Sequence, residues 1–182
     1  MMIDPESSPP PFSLALVRES GQTRQHPAYL RRAVRAVVIK NGHYLMIFSG
    51  TEGDYKFPGG GVQPGELHRL ALSRELQEET GYSLSQVKTL LGTVIELDFP
   101  DGADTSVFRM ISFYYLCSIH DSQGALSLDP YEKDLGFTPC WVTPRDALRN
   151  NENLWHLPDS QALFWLAREC AVLRVLIAAG IV

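Results

Sequence analysis

The chain has 182 residues, a formal net charge of −5, and apolar and charged fractions of 45% and 20%. That is the composition of a soluble globule with one sizeable core. The acidic balance argues against a broad nucleic-acid footprint, but a polyphosphate substrate stays open because a bound metal inverts local charge.

Met1 to Pro11 is acidic and rich in Pro and Ser, so residues 1–11 are expected to form a disordered tail and residues 12–182 one domain. It lacks the basic start and apolar run of a signal peptide. Phe12 to Arg18 reads as a short edge strand. A strand follows from about Ala33 to Lys40, preceded or entered by Arg31, Arg32 and Arg35, which are candidates for contact with substrate phosphate. Asn41-Gly42 marks a hairpin, with His43 to Ser49 as the partner strand. Tyr55 to Phe57 pairs briefly before Pro58 and three glycines, Gly59 to Gly61. Gly65-Glu66 is expected to open a helix. Glu66 complements its dipole, and Leu67, Leu70, Leu72 and Leu76 face the sheet. His68 reads as an exposed first-turn histidine.

Val87 to Phe99 and Val107 to Ile119 read as a strand pair, the first interrupted at Gly92, joined by a polar loop. Asp98, Asp101 and Asp104 around that loop read as a solvated turn. Their spacing lacks the glycine and terminal glutamate of a calcium loop. His120 to Pro130 is a connector, and Gly136 to Val142 a further strand. Thr143-Pro144 caps a short helix to about Asn150. Asp159 or Ser160 caps the last helix, to about Ala179. This helix is apolar nearly all round (Leu163, Phe164, Trp165, Leu166, Val172, Leu173, Val175, Leu176, Ile177). It therefore expects burial on every side, either centrally in a monomer or across a homodimer interface. Arg168, Glu169 and Arg174 exclude a membrane span there. Cys117, Cys140 and Cys170 are an odd number without a C-x-x-C pair and read as small buried residues, which suits a reducing cytoplasm. The order of elements gives an α/β fold, a mixed sheet with helices on its faces.

The chain is organised around Gly60 to Tyr82. Glu75, Glu78 and Glu79 stand at i, i+3 and i+4, hence on one helix face. Gly81 is a natural left-handed stop, so the glutamates occupy the last turns, where exposed carbonyls already carry partial negative charge. Stability alone would favour lysine there. The conflict points to a cation, and oxygen-only ligands suit Mg²⁺ or Mn²⁺.

Gly60, Glu66, Arg74, Glu75, Glu78, Glu79 and Gly81 fill the fixed positions of G-x5-E-x7-R-E-U-x-E-E-x-G-U. This stretch resembles the Nudix box, and Tyr55 to Gly59 resembles the family's lead-in. The resemblance implies an α/β/α sandwich and Mg²⁺-dependent hydrolysis of a diphosphate bond in a nucleoside diphosphate linked to X, a small-molecule nucleotide. It assigns Glu75, Glu78 and Glu79, with the carbonyl of Gly59, to the metal. Arg74 would hold the glutamates by ion pairing, and Gly60, Glu66 and Gly81 would shape the box. Several relatives place a further glutamate on the loop before the last strand. Here Asp129 to Leu135 fills that loop, and Glu132 and Asp134 qualify as the base, Glu132 having the longer reach. Extended signatures for NADH and coenzyme A are absent, and the proline of the ADP-ribose pattern falls elsewhere. Some triphosphate-cleaving relatives carry an arginine where this chain reads Phe48-Ser49-Gly50. The rival reading is a nucleotide-sensing Nudix domain without catalysis; such a domain would be expected to have a degraded box.

Overall fold

The computed structural model describes residues 12–18, 28–98, 107–156 and 164–182. The expected N-terminal tail, the loop carrying Asp101 and Asp104, and the cap at Asp159 or Ser160 lie outside the described residues. In chain order the elements are β1 (Phe12–Arg18), β2 (Ala28–Lys40), β3 (His43–Ser49), β4 (Tyr55–Lys56), α1 (His68–Thr80), β5 (Tyr82–Asp98), β6 (Val107–Gln123), α2 (Pro130–Asp134), β7 (Phe137–Val142), α3 (Pro144–Trp155) and α4 (Phe164–Ala178).

The seven strands form a mixed sheet in the order β1-β5-β6-β2-β3-β4, with β7 also paired to β3. β1 lies parallel to β5 and β2 parallel to β6, while β5–β6, β2–β3, β3–β4 and β3–β7 are antiparallel. Asn41 and Gly42 both take positive φ at the β2–β3 turn, the geometry a two-residue hairpin needs. β5 continues through Gly92 with a shift of register, where an interruption was expected.

Strand alternation divides β2 between two cores. Val34, Ala36 and Val38 pack with Leu45 and with Ala71, Leu72 and Leu76 of α1. Val37 packs on the other face with Val94, Tyr114 and α4 residues Val172, Leu173 and Leu176. α4 is thus buried within one chain along most of its length. Leu166 is also fully covered, and Trp165, Val175 and Ile177 partly so.

Three local expectations need correction. α1 begins at His68, not at Gly65-Glu66, because Gly65 has φ of 77° and the Glu66 carboxylate turns back to accept from the Gln63 N–H. Leu67 and Leu70 are exposed, so only Leu72 and Leu76 of the four leucines reach the core. His68 is half-buried: its Nδ1 lies 2.7 Å from the Tyr115 hydroxyl and its ring packs on Phe113.

Candidate active site

The glycine segment is built onto the edge of β2. Val34 N–H donates to Gly60 O at 3.0 Å, Ala36 N–H to Pro58 O at 2.8 Å, and Val62 N–H to Arg32 O at 2.9 Å. Side chains are excluded where this backbone meets β2 and α1. Gly59 has φ of 137°, and a Cβ there would strike the Val34 carbonyl. A Cβ on Gly60 would come within 2.5 Å of the Glu75 carboxylate.

This close approach brings the C-terminal half of α1 against the loop. Glu75 and Glu79 are buried, and the Gly59 N–H donates to Glu79 Oε2 at 2.7 Å. Arg74 draws the box together. It donates from Nε to Glu66 Oε1 at 3.2 Å and from Nη1 to Glu75 Oε1 at 2.7 Å. Nη1 also reaches Glu78 Oε2 at 3.3 Å, and Nη2 reaches Gly61 O at 3.1 Å. The hydrogen bonds from Arg74 hold the Glu66 carboxyl below the usual range. Glu78 turns outward to this arginine with its side chain 39% exposed.

Glu132 completes the cluster from a different element. One carboxylate oxygen from each of Glu75, Glu79 and Glu132 lies within 4.8 Å of the others. The segment around Glu132 was expected as a loop; it folds as the short helix α2. Asp129 accepts from the Glu132 N–H and Glu132 from the Asp129 N–H, each at 2.8 Å, a reciprocal cap with Pro130 following. Asp134, the other candidate base of this segment, is exposed at the end of α2. Burial raises the carboxyl pKa of Glu75, Glu79 and Glu132, most strongly at Glu79. Buried, mutually close oxygen donors favour a hard divalent cation over three separate charges, so the donor set fits Mg²⁺ or Mn²⁺.

The cluster opens into a cavity of about 490 Å³. Arg31 and Arg35 line it, as does Gly59. Arg35 donates to the Gly59 carbonyl, while its Nε is buried without a partner among the described residues. Arg32, one residue out of phase on β2, lines a separate surface pocket with Glu66 and His68.

Lys56, Phe137, Trp165, Glu96 and Arg168 line the same cavity. The Lys56 ammonium lies 5.0 Å from the centre of the Phe137 ring and 5.2 Å from that of Trp165. Asp54 fixes both, accepting from the indole N–H at 3.0 Å and pairing with Lys56 at 3.4 Å. None of these residues was a sequence candidate for the site. The available signal was charge inside an apolar helix: Arg168 and Glu169 were read only as barriers to membrane insertion.

Comparison with known proteins gives the family and the fold. The model of the NUDIX domain matches residues 29–166. The 8-oxo-dGTP diphosphatase of Proteus vulgaris is 45% identical over 60 residues, covering 33% of this chain and 52% of the relative. Nudix hydrolase 25 of Arabidopsis thaliana is 30% identical over 86 residues, covering 46% of this chain and 49% of the relative. The chain therefore spans about half the length of these curated relatives. Among solved structures, the E. coli ORF135 protein aligns with a TM-score of 0.50 at 20% identity, over 82% of this chain and 89% of the other. The mutator MutT protein of Bacillus halodurans also has a TM-score of 0.50 at 20% identity, over 75% and 78%. These two likenesses carry the fold.

Proposed function

The chain belongs to the Nudix family, and on that premise we propose that it hydrolyses a diphosphate bond in a nucleoside diphosphate linked to a further group. The observation that supports this reading is one cavity holding both halves of the chemistry. Glu75, Glu79 and Glu132 converge at one end, and Arg31 and Arg35 line the same space.

Phosphoanhydrides resist attack because their negative charge repels nucleophiles, so a site must shield that charge and hold a water in line. A divalent cation held by Glu75, Glu79 and Glu132 would neutralise phosphate charge and make a water more acidic. The residues do the remainder. Arg31 and Arg35 offer guanidinium N–H groups to phosphate oxygens. Arg74 fixes the Glu75 carboxylate by its 2.7 Å hydrogen bond. Glu132, coming from a separate element, is placed to accept the proton of the attacking water when Glu75 and Glu79 carry the cation. Asp129 N–H orients it from one oxygen.

The test is cleavage with Mg²⁺ across a panel of nucleoside triphosphates, ADP-ribose, nucleotide sugars and dinucleoside polyphosphates, read by chromatography as a nucleoside monophosphate formed together with pyrophosphate from a triphosphate or with the phosphorylated remainder from the others. The name of the Proteus relative adds 8-oxo-dGTP to that panel. Cleavage of at least one member is expected. Tight binding across the panel without cleavage would instead identify a nucleotide sensor.

A further inference from the structure

We infer that Glu96 and Arg168 read the base of the substrate, selecting a purine edge that offers two adjacent N–H donors beside an oxygen acceptor, as guanine does. This rests on the proposed function, which puts a nucleotide in the cavity.

Glu96 stands on β5 and Arg168 on α4, and both line the cavity that holds the carboxylate cluster. They are 1% and 3% exposed. Arg168 Nη1 donates to the two Glu96 oxygens at 3.2 and 2.9 Å. Its Nε and Nη2 donate to Glu169 Oε1 at 3.1 and 2.8 Å. Glu169 is the more heavily used carboxylate, since its second oxygen accepts from the Phe57 N–H at 3.2 Å. Among the described residues Glu96 accepts from a single nitrogen, and a carboxylate has about four acceptor positions. It therefore keeps acceptor capacity at the cavity wall, and Arg168, with five N–H donors, keeps donor capacity beside it.

The group as a whole carries two carboxylates against one guanidinium. Burying ion pairs is expensive, and apolar residues of similar volume often serve stability as well or better. A stability role alone leaves the surplus negative charge unexplained. A ligand edge with two N–H groups would hydrogen-bond the acceptor positions of Glu96 that Arg168 leaves open.

The neighbouring surfaces suit a flat ring. Trp165 and Phe137 are held by Lys56 and Asp54, and Ile47 and Met110 add apolar surface. Aromatic faces of this kind stack bases without distinguishing among them. Discrimination falls to the polar pair. Guanine places N1–H and N2–H side by side next to O6, which matches a carboxylate next to a guanidinium. Adenine and cytosine present one donor beside a ring acceptor, and uracil one donor between two acceptors. Each offers the carboxylate one edge N–H where guanine offers two side by side.

The experiment uses the full chain with Mg²⁺ and compares kcat/KM for GTP, ITP, ATP, CTP and UTP. GTP is expected to exceed ITP, which lacks only the 2-amino group, and ATP by at least about tenfold each. Glu96→Gln, which replaces one acceptor by a donor, is expected to cut the GTP-to-ATP ratio at least about tenfold. Equal wild-type rates on all bases, or a loss in Glu96→Gln that scales every substrate alike, overturns base reading and leaves hydrolysis standing. If none of these triphosphates is cleaved, thermal shift with GDP, IDP and ADP decides the inference independently, and the proposed function fails only if the wider panel is also left intact. Stronger stabilisation by GDP supports base reading, and equal stabilisation rejects it. The wild-type comparisons keep the test intact should Glu96→Gln fail to fold.

Discussion

Arg35 donates to the carbonyl oxygen of Gly59. That is the oxygen the family resemblance assigns to a cation. The same guanidinium acts on Glu75 and Glu79, opposing the rise that burial imposes on both carboxyl pKa values. Arg35 thus stands as a resident positive charge among groups that a divalent cation would also use.

The first expectation follows from that competition. Arg35→Gln leaves Gly59 O and the two carboxylates with less positive charge, so the metal-free variant should melt below wild type. Mg²⁺ or Mn²⁺ should then raise its melting temperature by more than it raises that of wild type, because a ligand of the folded state stabilises it more the tighter it binds. Differential scanning fluorimetry with EDTA and with each metal measures both shifts. A smaller metal shift in Arg35→Gln than in wild type would show that Arg35 supports the cation instead of standing in for it.

Glu79 gives a pH-dependent expectation. Burial raises its carboxyl pKa well above the ordinary value of 4.5, with the Gly59 N–H and Arg35 pulling the other way. The folded metal-free protein therefore binds more protons than the unfolded chain between those two pKa values. Stability must fall as pH rises through that window, with no further change from this group above it. Below the unfolded pKa the group contributes nothing. In EDTA, Glu79→Gln should gain stability relative to wild type between pH 4 and pH 8, as read by denaturant midpoints. With Mg²⁺ the advantage should vanish, because the variant cannot supply the charged ligand.

Arg74 holds Glu66, Glu75 and Glu78 together and also reaches Gly61 O. A lysine has one compact ammonium and cannot span these four partners in a plane. Arg74→Lys is expected to weaken Mn²⁺ binding about 10–100-fold, the effect of freeing a ligand from its support. Titration calorimetry measures it directly, and an unchanged affinity means that Glu75 is positioned by other contacts.

The box was legible because its chemistry is local. Glu75 and Glu79 share a helix face by spacing alone, and the glycines before them allow the backbone approach that seats them. Glu78 shows the limit of that argument. The arc that groups it with the other two also turns it far enough outward to meet Arg74 and solvent. Lys56, Glu96, Phe137 and Trp165 come from β4, β5, β7 and α4, and only the tertiary packing brings them to one cavity. No local spacing encodes that meeting. The α2 helix was legible in principle, since Asp129-Pro130-Tyr131-Glu132 is a capping box with proline at the first helical position. Its five residues were too few for a hydrophobic period to reveal it.

The last expectation concerns Glu132. One of its oxygens is fixed by the Asp129 N–H, while the cluster with Glu75 and Glu79 requires a carboxylate oxygen toward the cavity. Burial raises its pKa, with the charges of Asp129, Glu75 and Glu78 acting the same way and the Asp129 N–H opposing them, and a raised pKa moves a carboxylate toward the range in which it accepts a proton effectively near neutral pH. A glutamine can still accept from the Asp129 N–H through its amide oxygen, so the α2 cap and the backbone around it should survive the exchange. Proton acceptance should not. Glu132→Gln is therefore expected to lower kcat by about 10²–10⁴ with KM nearly unchanged, the pattern of a group that acts in the transition state and not in substrate binding. Asp134→Asn serves as the comparison, because Asp134 is exposed and its carboxylate is not among the clustered ligands. It should stay within a few-fold of wild type. Two measurements separate the roles of Glu132 further. Mn²⁺ affinity that falls together with kcat makes Glu132 chiefly a metal ligand. Unchanged affinity with a lost acidic limb in the pH dependence of kcat makes it the base. A Glu132→Gln enzyme within a few-fold of wild type removes Glu132 from the chemistry altogether, and Glu78→Gln is then the next variant to measure, since Glu78 is the box carboxylate left outside the cluster.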